Sequence, residues 1–75
     1  MDIKYVMINH SFPIIFLAMF NHKDFSGVGN ITSAGFLRIR SNSGYIQIET
    51  YGESTSLGKR PDAEDAKLIQ FFLNK

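Results

Sequence analysis

Thr32-Ser33-Ala34-Gly35-Phe36-Leu37-Arg38-Ile39-Arg40-Ser41-Asn42-Ser43-Gly44-Tyr45-Ile46-Gln47-Ile48-Glu49-Thr50-Tyr51 carries the clearest strand pattern in the chain. Two runs of alternating apolar and polar residues flank Ser41-Asn42-Ser43-Gly44, a hydroxyl-rich linker ending in glycine, which is a hairpin signal. Strands are expected over about 32–40 and 45–51. Setting Arg40 opposite Tyr45 places Leu37 against Ile48 and Ile39 against Ile46, an aliphatic face suited to a core. The opposite face then carries Phe36, Arg38, Arg40, Tyr45, Gln47, Glu49 and Tyr51. Side chains alternate across a strand with a period of two, so one register satisfies both strands.

Working toward the N-terminus, a second hairpin is expected from strands at about 3–9 and 14–20, joined by His10-Ser11-Phe12-Pro13. Pro13 suits the first residue of a strand, where no N–H is needed. This pairing sets Ile8 opposite Ile15 and Val6 opposite Leu17 on one face. The other face carries Met7 opposite Phe16 and Tyr5 opposite Ala18, with Ile3 near Phe20. Both faces are apolar, so neither is suited to water. Between the hairpins, Asn21 and Asp24 have the spacing of a helix N-cap pair, predicting one short helical turn over 21–25. Gly27 and Gly29 stop it.

Toward the C-terminus, Gly52 to Arg60 reads as a polar loop. Pro61 suits a first helical turn, and Asp62, Glu64 and Asp65 complement the positive end of the helix dipole. The helix is expected to reach Leu73, with Ala66, Ile69, Phe72 and Leu73 as its apolar stripe. The fold class is therefore α+β: a four-stranded antiparallel sheet of two successive hairpins, with one C-terminal helix on one face.

A chain of 75 residues is expected to form a single domain, 1–75. Folding at this size buries only about 60% of the unfolded chain's surface, so stability is marginal without a supplement. Cysteine is absent, which removes disulfides and thiolate metal motifs together. Oligomerisation is the supplement left, and a homodimer is expected. One helix covers one face of a sheet, so Tyr5, Met7, Phe16 and Phe20 are expected on the uncovered face as a self-association patch. The alternative is that segment 21–35 folds back over that face and places Phe25, Val28 and Ile31 there.

Several chemistries lack the residues they need. The apolar run 12–20 is much shorter than the roughly 20 residues a membrane-spanning helix needs, and no small-x-small cleavage site follows it. A cytoplasmic protein with no membrane partner is the expectation. Gly52-Glu53-Ser54-Thr55-Ser56-Leu57-Gly58-Lys59-Arg60 has the composition of a phosphate-binding loop, making Ser54, Ser56, Lys59 and Arg60 a candidate anion site. The spacing is wrong for a Walker loop, because Arg60 follows the lysine and five residues separate the glycines. His10 and His22, with Asp24 nearby, are expected as exposed turn residues on opposite edges, so no metal or other cofactor is assigned. No serine has the G-x-S-x-G setting of a nucleophile, and a domain this thin is expected to leave little room for a cleft. The chain is expected not to be an enzyme.

The positive signal is the face of Phe36, Arg38, Arg40, Tyr45, Gln47 and Tyr51. Tyr, Phe and Arg dominate protein–protein hot spots. Aromatic rings beside arginine also stack single-stranded bases while guanidinium groups hold phosphates. The net charge of +1 lacks the basic excess of a dedicated nucleic-acid binder. A non-catalytic protein-binding module is therefore the first expectation, an adaptor or an inhibitor. Small domains of this kind include those of mobile elements that block host defence complexes, and an inhibitor of that origin is one form of the expectation. A single-strand nucleic-acid binder using the same face is the second, and a small phosphate or nucleotide ligand protein using the 52–60 loop is the third.

Overall fold

The computed structural model describes residues 2–74. Strands β1 (Ile3–Ile8), β2 (Phe12–Leu17), β3 (Ile31–Asn42) and β4 (Tyr45–Tyr51) precede helix α1 (Asp65–Leu73), and one turn of 3-10 helix spans His22–Phe25. The strands form one four-stranded antiparallel sheet in the order β2-β1-β3-β4. This is an α+β fold, with α1 packed on one face of the sheet. The expected turn at 21–25 is present. The Asn21 N–H donates to the Asp24 carboxylate at 2.8 Å and closes its first residues.

The β3–β4 hairpin keeps its expected faces but not its expected register. Asn42 pairs with Tyr45, Arg40 with Gln47 and Arg38 with Glu49, two residues away from the Arg40–Tyr45 alignment. The turn is only Ser43-Gly44, both at positive φ (52° and 80°), the backbone of a tight two-residue hairpin. An even shift leaves every side chain on its own face.

The β1–β2 hairpin corrects the sequence expectation more severely. Ile8 pairs with Phe12, Tyr5 with Ile15 and Ile3 with Leu17, a shift of three. Asn9 and His10 take positive φ (51° and 59°), and the Ser11 N–H donates to the Ile8 carbonyl at 3.0 Å. β1 thus ends one residue earlier and β2 begins two residues earlier than expected, and an odd shift exchanges the faces. Ile3, Tyr5 and Met7 lie under α1, where Tyr5 and Met7 join Leu37, Ile48 and Ile69 in a buried cluster. Val6, Ile8, Phe16 and Ala34 form a second cluster, with Phe25, Ile31 and Leu57 packed against it. Both faces of the sheet therefore carry core. Of segment 21–35, the 3-10 turn covers the second face through His22 and Phe25, whereas Ile31 stands in β3 itself, paired with Ile8, and Val28 stays exposed.

α1 starts four residues later than Pro61. Asp62 and Asp65 cap the turn reciprocally: the Asp62 N–H donates to Asp65 Oδ2 at 2.9 Å, and the Glu64 N–H donates to Asp62 Oδ1 at 3.1 Å. Pro61 instead packs on Gly35, where an added Cβ would stand 2.6 Å from the proline Cγ. The same Asp65 oxygen accepts from the Tyr5 hydroxyl at 2.6 Å and from Ser33 Oγ at 2.6 Å. One buried carboxylate thus ties α1 to β1 and β3. Of the expected apolar stripe, Ile69 is fully buried, Ala66 and Phe72 are half-buried and Leu73 is exposed.

Burial, and secondly the hydrogen bond to Asp65 with the charges of Asp65 and Asp62, pushes the Tyr5 phenol far above its ordinary value of 10.0. A raised folded-state value makes the unfolded chain lose its proton first. The contribution is complete below about pH 10 and is lost above it, by about 1.4 kcal/mol per pH unit. Urea midpoints between about pH 9 and 11 should therefore fall more steeply for the wild type than for Tyr5→Phe. At neutral pH, Tyr5→Phe should cost about 1.5–3 kcal/mol, the value of a hydrogen bond to a charged group. Parallel pH profiles for the two proteins would contradict this.

The two edge strands differ. On β4, Asn74 at the end of α1 accepts from the Ile46 N–H and donates to the Ile46 carbonyl, both at 2.9 Å. Gln70 Oε1 accepts from the Ile48 N–H at 3.0 Å. Helix side chains thus occupy backbone groups that an edge strand would otherwise present to another chain.

Candidate functional site

The candidate site lies on the sheet face opposite α1, and it is organised by stacking. Phe36 and Tyr51 pair across β3 and β4, and their rings stack at 5.6 Å and 25°. The Arg38 guanidinium sits 4.8 Å from the Tyr51 ring centroid, and Lys4 Nζ sits 5.7 Å from that of Phe36. Cations therefore close both ends of the aromatic pair, each such contact worth about 0.5–1 kcal/mol at an exposed site. Arg38 Nη1 also donates to Glu49 Oε1 at 2.6 Å, with both side chains about half exposed (52% and 51%). An exposed pair of this kind adds little stability, at most about 1 kcal/mol. Its main effect is to hold the guanidinium over the Tyr51 ring.

Beneath this stack the aromatic chain continues into the core. His22 meets Phe36 edge-on at 5.5 Å and Phe16 edge-on at 5.5 Å, and Phe16 packs on Phe25 at 4.3 Å. His22 is 4% exposed, contrary to its expected place as an exposed turn residue. Its Nε2–H donates to the Gly35 carbonyl at 2.8 Å. The buttress under Phe36 is thus a hydrogen-bonded imidazole. Gly52 sits against the Phe36 ring at φ 70°, where a Cβ would come within 2.8 Å of Phe36 Cδ2. A side chain there would displace the ring.

Of the six candidate binding residues on this face, Phe36, Arg38 and Tyr51 are brought together. Arg40 and Gln47 pair one rung further and are exposed. With Arg38, Glu49, Ile48 and Gln70 they line an open recess of about 230 Å³ at the β4 edge. Tyr45 departs from the group. Its hydroxyl accepts from Gln70 Nε2 at 2.7 Å, which draws the ring toward α1. There it lines a second recess of about 340 Å³ with Lys67, Gln70, Phe71 and Asn74. The surface is thus less bare of concavities than the thin fold suggests.

The expected self-association patch is not assembled. Tyr5 and Met7 are fully buried under α1, Phe16 is buried on the opposite face, and Phe20 is 46% exposed. The physical reason is the odd register shift of the first hairpin. The anion loop is also closed on itself. Ser54 and Lys59 exchange backbone hydrogen bonds at 2.7 and 3.1 Å, Ser54 is buried, and Ser54 Oγ lies 3.4 Å from Ser56 Oγ. Lys59 and Arg60 are exposed, and the Arg60 carbonyl accepts from the Ala34 N–H at 3.4 Å. At the turn beyond the loop, the Asp65 carboxylate accepts from the Asp62 N–H.

Sequence reasoning missed His22 and Asp65. Nothing local marks His22, because its neighbours Phe16 and Phe36 come from distant strands. Asp65 is one of three acids at a helix start, and only the register of β1 shows that Tyr5 reaches it. Among the described residues, no three His, Cys, Asp or Glu side chains converge as a metal-binding group, and no helix is long and apolar enough to cross a membrane. No known family, curated protein or solved structure matches this chain.

Proposed function

We propose that this chain is a small non-catalytic protein-binding module, an adaptor or inhibitor, that engages its partner through Phe36, Arg38, Arg40, Gln47 and Tyr51. The observation that carries this reading is the Lys4–Phe36–Tyr51–Arg38 stack. Aromatic and arginine side chains are the commonest hot-spot residues. Here they are held in place before binding, so little side-chain entropy remains to be lost. The adjoining recess gives Arg40 and Gln47 a concave rim that a partner side chain can enter.

The Arg38–Glu49 pair favours a protein over a nucleic acid. It neutralises one of the two guanidinium groups on the face, while phosphate recognition depends on uncompensated cations. A partner offering both an acidic group for Arg40 and an apolar surface for Tyr51 fits better.

The test is the double charge reversal Arg38→Glu/Arg40→Glu, compared with wild type in capture of a stoichiometric partner. A hot-spot pair contributes at least about 2 kcal/mol, so captured partner should fall at least tenfold. Circular dichroism should be unchanged. Equal capture by the two proteins would remove this face from the account.

A further inference from the structure

We infer that two copies of this chain pair edge to edge through β2, around a two-fold axis at Ile15. The main-chain directions establish which groups are offered. The Ile8 carbonyl turns toward β2, accepting from Ser11, whereas the Asn9 N–H turns toward β3, donating to the Asn30 carbonyl. Alternation along β1 then directs Lys4, Val6 and Ile8 to β2, and their partners Phe16, Ile14 and Phe12 back to β1. The main chains of Pro13, Ile15 and Leu17 therefore face outward. Among the described residues, no hydrogen bond from outside the sheet reaches Ile15.

Antiparallel pairing of β2 with its own copy fits this edge group by group. Ile15 would face Ile15 of the second copy and exchange two hydrogen bonds with it. Leu17 would face Pro13 of the second copy, its N–H donating to the proline carbonyl. The reverse bond is impossible, because proline has no N–H. The carbonyl that would have received it, that of Leu17, already accepts from the Phe20 N–H at 3.1 Å. The two missing partners thus coincide, and the seam leaves no orphaned group among these three residues.

The side chains agree. β2 is Phe-Pro-Ile-Ile-Phe-Leu, with none of the charges that edge strands use against pairing, and its one guarding residue, Pro13, falls where the opposed Leu17 carbonyl is already bonded. On the helix side α1 leaves Ile15 and Leu17 exposed at 37% and 46%, and across the seam Ile15 would meet its counterpart and Leu17 the Pro13 ring of the second copy. The opposite edge, β4, is held by Asn74 and Gln70. One edge is guarded and one is open, so pairing closes at two copies rather than propagating. The product is a continuous sheet with both helices on one face and both Arg38–Tyr51 stacks on the other. This inference uses a different surface from the proposed partner site, and either stands if the other fails.

The test exploits the lack of cysteine in the chain. Directly opposed residues of a hydrogen-bonded antiparallel pair have Cα atoms about 5.5 Å apart, within disulfide range. Ile15→Cys should oxidise to a covalent dimer, whereas Leu17→Cys copies, about 13 Å apart along the seam, should not. Mixed Pro13→Cys and Leu17→Cys proteins should cross-link. In sedimentation, the wild type should approach twice 8.5 kDa with rising concentration, and Ile15→Lys should remain at 8.5 kDa with an unchanged circular dichroism spectrum. A wild type that stays monomeric at high concentration would overturn the inference. So would Leu17→Cys cross-linking as readily as Ile15→Cys.

Discussion

Asp65→Ala should leave the chain largely unfolded under conditions where the wild type is native. Asp65 is 2% exposed, and a single oxygen, Oδ2, accepts from the Tyr5 hydroxyl, the Ser33 hydroxyl and the Asp62 N–H. Truncation strands two buried hydroxyls and frees the capping turn in one step. Each unsatisfied buried group costs about 1–3 kcal/mol, and loss of the carboxylate's bond to the Asp62 N–H adds about 1 kcal/mol, the value of a helix-capping contact. A chain of this length has about 4–11 kcal/mol in total, so the loss is comparable to the whole. Asp65→Asn makes the prediction specific. Its amide oxygen can still accept at the same point, so the variant should fold with a loss nearer that of one charge-assisted bond. Urea unfolding of both variants checks this. An Asp65→Ala midpoint close to wild type, or one equal to that of Asp65→Asn, would refute the assigned role.

Gly35→Ala should destabilise the chain by about 1–3 kcal/mol, the range for overpacking a filled site. A Cβ at Gly35 would stand 2.6 Å from Pro61 Cγ and 3.1 Å from the Tyr51 carbonyl oxygen. Neither a proline ring nor a main-chain carbonyl yields cheaply. The effect should extend to the candidate site, because the Gly35 carbonyl accepts from His22 and His22 supports Phe36. Gly27 is the internal control, since a Cβ there meets nothing within 4 Å. Gly27→Ala should be neutral, or stabilising by up to about 1 kcal/mol through the unfolded state. Thermal midpoints of the two variants should therefore move in different directions or by clearly different amounts. Equal midpoints would contradict the packing described around Gly35.

How much of this was legible in the sequence differs between the two hairpins, for a physical reason. In β3 and β4, polar and apolar residues alternate, so the faces were readable even though the register was displaced by two. In β1 and β2 almost every residue is apolar, and such a pattern does not distinguish one face from the other. Register there rests on the turn, and the turn rests on Asn9 and His10 adopting positive φ. Asparagine and histidine are among the residues that tolerate this backbone, a weak signal beside Pro13. The consequence for the site was direct. Phe36, Arg38 and Tyr51 were found together, while Tyr5 and Met7, expected beside them, lie under the helix. Tyr45 was misplaced for another reason: its partner Gln70 lies on the helix, beyond the reach of strand periodicity.

The most direct test of the proposed binding face is site-specific photocrosslinking in cell extract. A photoreactive phenylalanine analogue would replace Gln47, which is exposed beside Arg40 on the stacked face. A second protein would carry it at Lys67, exposed on α1. The account predicts a discrete protein adduct from position 47 that survives nuclease, with none from position 67. Adducts from position 67 alone, or adducts from position 47 that vanish on nuclease treatment, would contradict it.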